Sequence, residues 1–317
     1  MDQFTTLLAA VIPVFGIIVV GLVLRKLTWL TEEADRSLLR LTINLLYPCL
    51  ILDASLGNRA LQDLGNLTLA PLVGFATFAL GLIAAKLILP LTGLKQPEAR
   101  RTFTFTVGLY NYGFIPIPLA MLLFDAETVG VLFVHNVGVE MGLWTLGVVV
   151  LTGAGIQGAW RKLINAPLVA ITLAVILNLT GIHLMLPEVI RTTLHLLAQC
   201  AIPLSLILIG ATVADHLSGF RSTGGGGTMA WAVVVRLGLL PLVFILLAKI
   251  LPASVELKRV LLLEAAMPSA VFPIVMAKHY GGDVRTALRV VIPTSLISLI
   301  TIPLWIRFGL RLLGLDG

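Results

Sequence analysis

The sequence predicts an all-α polytopic membrane protein: ten transmembrane helices as two inverted five-helix repeats, with helices 4 and 9 broken inside the membrane. Three observations predict it. Apolar runs near 20 residues recur along the 317-residue chain, and each can span ~30 Å of hydrocarbon. Residue patterns of the first half return in the second. Prolines interrupt two of the apolar runs at corresponding places.

Composition fixes the membrane class. The chain is 58% hydrophobic and 12% charged, with a mean hydropathy of +1.02; soluble domains carry about 25% charged residues. A β-barrel would show short alternating segments, not continuous apolar runs. The net charge of +6 comes mostly from residues flanking the apolar segments, so it reports orientation rather than nucleic-acid binding. Cys49 and Cys200 both lie inside apolar segments, which predicts neither a disulfide framework nor a zinc site. The N-terminal MDQF lacks a basic n-region, so the segment behind it reads as the first span.

In order, the spans cover approximately 5–24, 38–55, 68–90, 101–123, 128–151, 166–182, 192–214, 229–251, 258–279 and 286–310. The connections are short. Residues 25–37 are charged, 152–165 are Gly-rich and then basic, and 215–228 contain GGGG, read as a flexible link. Trp29, Trp144, Trp160 and Trp305 mostly fall near span ends, where aromatic belts sit. With the N-terminus outside, the inside loops carry thirteen basic residues, from Arg25 to Arg289 by way of Lys162 and Arg221, and the outside loops seven. That bias places both termini outside. The short loops suit a prokaryotic inner membrane.

The repeat appears in three matches. Asn44 to Pro48 (NLLYP) answers Gln199 to Pro203 (QCAIP); AAKLILP ending at Pro90 answers LAKILP ending at Pro252; FIPI around Pro116 answers VFPI around Pro273. The offsets lie near 155–163 residues. Residues 1–155 therefore form a first repeat and 156–317 a second, together one membrane domain. Five spans is an odd number, so the second copy is inverted, a common architecture of secondary transporters.

The breaks are the chemically informative places. Span 4 breaks over Asn111–Pro118 and span 9 over Met267–Pro273. A broken helix frees N–H and C=O groups that hydrocarbon cannot satisfy, so such segments pack in protein or line a wet cavity. Half-helix N-termini suit an anion, while unwound carbonyls and half-helix C-termini suit a cation.

INLLYPCLIL, YNYGFIPIPLA, IPLSLILIGATVA and EAAMPSAVFPIVMAKHYGG resemble the corresponding segments of the auxin efflux carrier family, which includes plant auxin exporters and bacterial malonate and malate carriers. The similarity runs over essentially the whole chain. It implies a fold similar to bile acid/sodium symporters, with a scaffold of spans 1, 2, 6 and 7, a transporter part of spans 3–5 and 8–10, and homodimers through the scaffold. It implies small carboxylate substrates held where Asn111 through Pro118, with Tyr112, Gly113 and Pro116, meets Pro268 through Pro273, with Ser269, and where Asn44 and Tyr47 wall the site. The chain lacks the long hydrophilic loop that many plant members carry between spans 5 and 6.

Single residues have two readings. Asn111 is a capping amide for freed backbone groups or a substrate ligand. The prolines make the break, and Ser269 and Tyr112 are donors or packing residues. Glu264, Glu140 and Asn136 are candidates for coupling to H⁺ or Na⁺, since intramembrane carboxylates default to function; a structural pair is the alternative for Glu140. His135 is read as packed. Lys86 either snorkels or, like Arg236, attracts an anion. Asp53 is read as interfacial.

These residues point to a secondary active transporter of a small organic carboxylate, auxin-like or a dicarboxylate such as malonate or malate. It would work by elevator-like alternating access at the crossover of helices 4 and 9. The alternatives are a sodium-coupled organic anion symporter of the bile acid type and a non-transporting anion receptor. An intramembrane enzyme lacks support: there is no HExxH, GxSxG or Asp-rich motif in the chain, and no catalytic residue or cofactor is expected.

Overall fold

The computed structural model describes residues 3–154, 161, 164–221 and 225–315. Trp160, Lys162, the 155/156 repeat boundary, part of the GGGG link and the side chain of Arg221 lie outside the described residues.

Twelve helices account for most of the described chain. They are α1 (Gln3–Lys26), α2 (Glu32–Ser55), α3 (Leu64–Leu91), α4 (Pro97–Gly108), α5 (Pro116–Leu123) and α6 (Ala126–Thr152). There follow α7 (Ala166–Thr180), α8 (Glu188–Arg221), α9 (Gly226–Ile250), α10 (Val255–Ala266), α11 (Phe272–His279) and α12 (Val284–Leu313). No strand occurs among the described residues. Seven helices, α1, α2, α3, α6, α8, α9 and α12, are long and apolar enough to cross a bilayer. The other three expected spans are α7, with 15 residues, and the split pairs α4–α5 and α10–α11. Large apolar side chains such as Leu72, Ile83, Val169, Leu196 and Ile300 stand exposed, as lipid contact requires. This is a polytopic α-helical membrane protein.

Polar residues start the helices. Asp63, Asp125, Asn165, Ser254 and Asp283 each accept a backbone N–H of the first turn of α3, α6, α7, α10 and α12, satisfying donors that a helix leaves free. Arg25 holds the ends of three elements together. Its guanidinium, nearly buried, pairs with Asp35 at the start of α2 and lies 3.0 Å from Asp215 near the end of α8.

Proline explains two π-turns. Pro48 follows the wide turn Thr42–Leu46 of α2, and Pro241 follows Val235–Leu239 of α9. Proline has no N–H for the carbonyl four residues back, and its ring crowds that carbonyl; a wider turn relieves both. Leu237 O, the carbonyl that Pro241 leaves free, accepts Trp305 Nε1 at 2.7 Å. Trp305 is thus an interhelical ligand, not a belt residue as its position suggests. Trp29 does stand exposed at the end of α1.

Helices meet in two groups. α1 packs on α8, and α2 on α7 and α8; elsewhere α3 packs on α4 and α6, α9 on α10, and α12 on α4, α9 and α10. The groups touch where α1 meets α12 and α2 meets α6. Glycines make the tightest seams. A Cβ on Gly138 would fall 1.8 Å from Pro71 O, and one on Gly74 2.1 Å from His135 O, so α3 and α6 approach backbone to backbone. Gly21 and Gly210 do the same for α1 and α8. Without a hydrophobic drive between helices in lipid, such close contact supplies the association.

Gly138→Val should force α6 off α3. We expect a loss of folded material in detergent, or a melting temperature several degrees lower, by size-exclusion chromatography and a thermal ramp. A Val at lipid-facing Leu72 should change neither.

Candidate binding site at the crossed breaks

The two broken segments pair with each other. Leu109–Ile115 separates α4 from α5, and Met267–Val271 separates α10 from α11. Tyr110 and Ser269 form an antiparallel bridge. Asn111 N donates to Pro268 O at 2.8 Å, and Ala270 N to Leu109 O at 2.9 Å. Each break thus satisfies two backbone groups that would otherwise be buried unpaired, at a cost of several kcal/mol apiece.

The unwound stretches are shorter than the sequence suggests. Pro116 and Pro118 sit in the first turn of α5, and Pro273 in the first turn of α11. Their missing N–H groups cost nothing there, because the first turn has no intrahelical acceptor. Only Pro268 lies within an unwound stretch.

The crossing places the N-termini of α5 and α11 side by side. Asn111 Oδ1 accepts Phe114 N at 3.0 Å and Ile115 N at 3.3 Å, satisfying two N–H groups of the unwound stretch just before α5. Asn136 Nδ2, on α6, donates to Tyr112 O at 2.6 Å and ties the loop to its neighbour. Among the described residues no acceptor is found for the N–H groups of Tyr112, Gly113, Val271 and Phe272.

All four of those residues line a cavity of about 490 Å³. Its other walls are Tyr47 and Ile51 of α2, Phe133, Asn136, Glu140 and Trp144 of α6, and Leu168 and Ile171 of α7. Aromatic rings dominate. Tyr47 stands edge-on to Phe114 at 5.9 Å, and Trp144 edge-on to Phe272 at 6.3 Å. Tyr47 also bonds Ser205 of α8. Glu140 is the one charged side chain among the described lining residues; its Oε2 accepts Asn165 Nδ2 at 2.5 Å. Asn165 in turn caps α7.

The candidate residues therefore divide. Asn111, Tyr112, Gly113, Tyr47, Asn136 and Glu140 line the cavity. Asn44 does not: it is exposed on α2 and bonds Arg40 O at 2.8 Å. Pro116, Pro268, Ser269 and Glu264 are buried but off the cavity wall. Glu264 and Ser269 face a second polar compartment with Arg236 and Tyr110. His135 is buried against Asn136, and Asp53 pairs with His195 at 3.1 Å. Lys86, with Lys95, Arg100 and Arg101, lines a separate, more open groove between α3, α4 and α6. Trp144 is a cavity residue rather than part of an interfacial belt; it lies in the π-turn Leu143–Gly147 of α6. Phe114 and Phe272 line the cavity too and fall within the expected crossover stretches, though not singled out there. Asn165 is a cavity residue that reading the sequence misses; it precedes Ala-Pro as a helix cap, and that is the signal it carried.

The family model described as membrane transport protein matches residues 6–158 and 154–306. The chain belongs to that family. It is the auxin efflux carrier family that the break motifs resemble. An uncharacterized transporter of Methanothermobacter thermautotrophicus is 29% identical over 300 residues, covering 93% of this chain and 96% of that protein. An uncharacterized transporter of Methanocaldococcus jannaschii is 24% identical over 302 residues, with the same coverage. Membership makes this protein a membrane transporter, and its relatives carry the name of transporters rather than enzymes.

Asn111 can be tested for its two readings at once. Asn111→Ala removes the acceptor of two loop N–H groups and should cost about 1–3 kcal/mol of stability, seen as a lower melting temperature. Asn111→Asp keeps the acceptor and should melt like the parent, yet bind an anion about tenfold more weakly, because a charge then faces the ligand.

Proposed function

We propose that this transporter is a secondary carrier of a small organic monocarboxylate, with the carboxylate seated at the crossed breaks. The observation that carries the proposal is the cavity with two half-helix N-termini and four unpaired N–H groups. Free N–H groups and aligned peptide dipoles together favour an anion, and discontinuous helices of transporters use their N-termini in this way. The walls supply no basic side chain among the described residues, so the positive end offered to a carboxylate there is main-chain N–H.

The same walls favour one of the substrate classes of the family. Aromatic and aliphatic surface suits an acid with an apolar body, such as an aryl acetate. A second carboxylate would face Glu140 and no cation. An auxin-like acid is therefore favoured over malonate or malate. Glu140 is the residue of the cavity at which a proton can accompany the anion, since neutralising it removes the one repulsive side chain.

For the movement, we propose that α1, α2, α7 and α8 form the scaffold. The remaining helices would carry the crossing from face to face. The grouping of helix contacts supports this division, and the glycine seams support each group moving as a body. The two repeats would then be related by inversion, the scaffold would join two copies as a homodimer, and the protein would lie in the inner membrane with both termini outside.

Counterflow in proteoliposomes tests the assignment without knowledge of a coupling ion. Vesicles loaded with excess indole-3-acetate should transiently accumulate labelled indole-3-acetate, and vesicles loaded with malonate or malate should not. Accumulation only in the dicarboxylate vesicles would overturn the substrate class; none with any acid of the panel would overturn the carrier reading. Glu140→Gln should lower the half-saturating concentration of the monocarboxylate several-fold; an unchanged value would remove Glu140 from contact with the anion.

A further inference from the structure

Behind the crossing, away from the cavity, lies a closed polar compartment that the anion reading leaves unused. Arg236, in the π-turn of α9, is wholly buried. Its Nη2 lies 3.3 Å from Ala265 O and 3.5 Å from Glu264 O. Both carbonyls belong to the last turn of α10, the C-terminal and partially negative end of that half-helix. The guanidinium carbon stands 5.3 Å from the ring centre of Tyr110 and 5.4 Å from that of Phe244, within cation–π range of two faces. Tyr110 is fixed from behind by a 2.8 Å hydrogen bond to Thr77.

Glu264 completes the compartment. Its carboxylate is wholly buried, and neither oxygen has a hydrogen-bond partner; Ser269 Oγ, Arg236 Nε and Arg236 Nη1 are also unpartnered. No ion pair within 4.0 Å joins Glu264 to Arg236 among the described residues. Helix-end carbonyls, two aromatic faces, a hydroxyl and a carboxylate are the groups that select a cation, and half-helix C-termini hold coupling ions in discontinuous-helix carriers.

We propose that this compartment is the carrier's cation site and that the guanidinium of Arg236 fills it as a tethered cation, so that transport through the crossing needs no sodium. The proposal rests on reading the crossing as the transport site. Charge decides the occupancy. With Arg236 in place the compartment already holds a formal positive charge. A sodium ion would add a second positive charge beside a guanidinium in a medium of low dielectric, which is strongly unfavourable. Without Arg236 the carboxyl group and the helix-end carbonyls would leave a hole lined with oxygen, open to a small cation. The guanidinium then travels with the crossing in every cycle, and its charge never dissociates.

The test replaces Arg236 with Gln and varies only the cation. Counterflow of indole-3-acetate and the melting temperature in detergent are measured in choline chloride, sodium chloride and dilute guanidinium chloride. The wild type should give the same values in choline and in sodium. Arg236→Gln should lose about tenfold in counterflow in choline, recover several-fold with sodium or guanidinium, and melt several degrees higher when either is added. Arg236→Lys should keep a cation in place and remain sodium-independent. Sodium-dependent counterflow or melting of the wild type would overturn the proposal. So would an Arg236→Gln protein that neither cation affects. If no variant shows counterflow, the transport reading fails, while the melting shifts still report whether Arg236 holds a cation site closed. If Arg236→Gln does not fold, sodium independence of the wild type and of Arg236→Lys decides.

Discussion

Two hydrogen bonds between the breaks, Asn111 N to Pro268 O and Ala270 N to Leu109 O, are the constraint on which the rest of the site depends. Each break is untenable alone. An unwound stretch surrounded by apolar side chains exposes donors and acceptors that nothing nearby can satisfy. Paired antiparallel, the stretches answer each other at the centre and leave unanswered groups only at their flanks. Those flanks are the cavity on one side and the Arg236 compartment on the other. The crossing thus sorts helix ends by polarity, with N-termini toward the cavity and a C-terminus toward the guanidinium.

The neighbours serve that arrangement. Asn136 holds the Tyr112 carbonyl, Asn111 holds the Phe114 N–H, and Tyr110 closes the back with Thr77. The α3–α6 seam brings the first of these to the loop: Gly74 lies against His135, the residue before Asn136. The Pro241 turn has a similar logic. It widens α9 where Arg236 leaves the helix, and Trp305 takes the carbonyl that the proline strands.

Much of this was legible in the sequence, and the limits have physical causes. Apolar runs and the prolines located the helices and both breaks, because hydrocarbon thickness and the missing proline N–H act locally. The extent of each break was overread, since a proline signals a break equally well from inside the first turn beyond it. Pro118 and Pro273 show this. Tyr47, Asn111, Tyr112 and Asn136 were named and line the cavity. Asn44 was named and does not, because helix phase shifts across the π-turn at Thr42–Leu46 and periodicity does not report that shift. Glu264 and Glu140 looked equivalent as lone carboxylates. Only the fold puts one against Asn165 and the other behind the bridge.

On the proposed reading, a carboxylate held by main-chain N–H groups would have a consequence for how such a protein changes over time. The N–H of Gly113 or Val271 is common to every residue but proline, so no single replacement short of proline deletes it while the breaks persist. The walls have no such protection: Tyr47, Phe114, Phe133, Trp144 and Phe272 can each be exchanged one nucleotide change at a time. Head-group recognition and body recognition are therefore separately inherited. A lineage that keeps the crossing can drift from one acid to another by repainting the walls, and the cargo of one member is weak evidence for the cargo of the next.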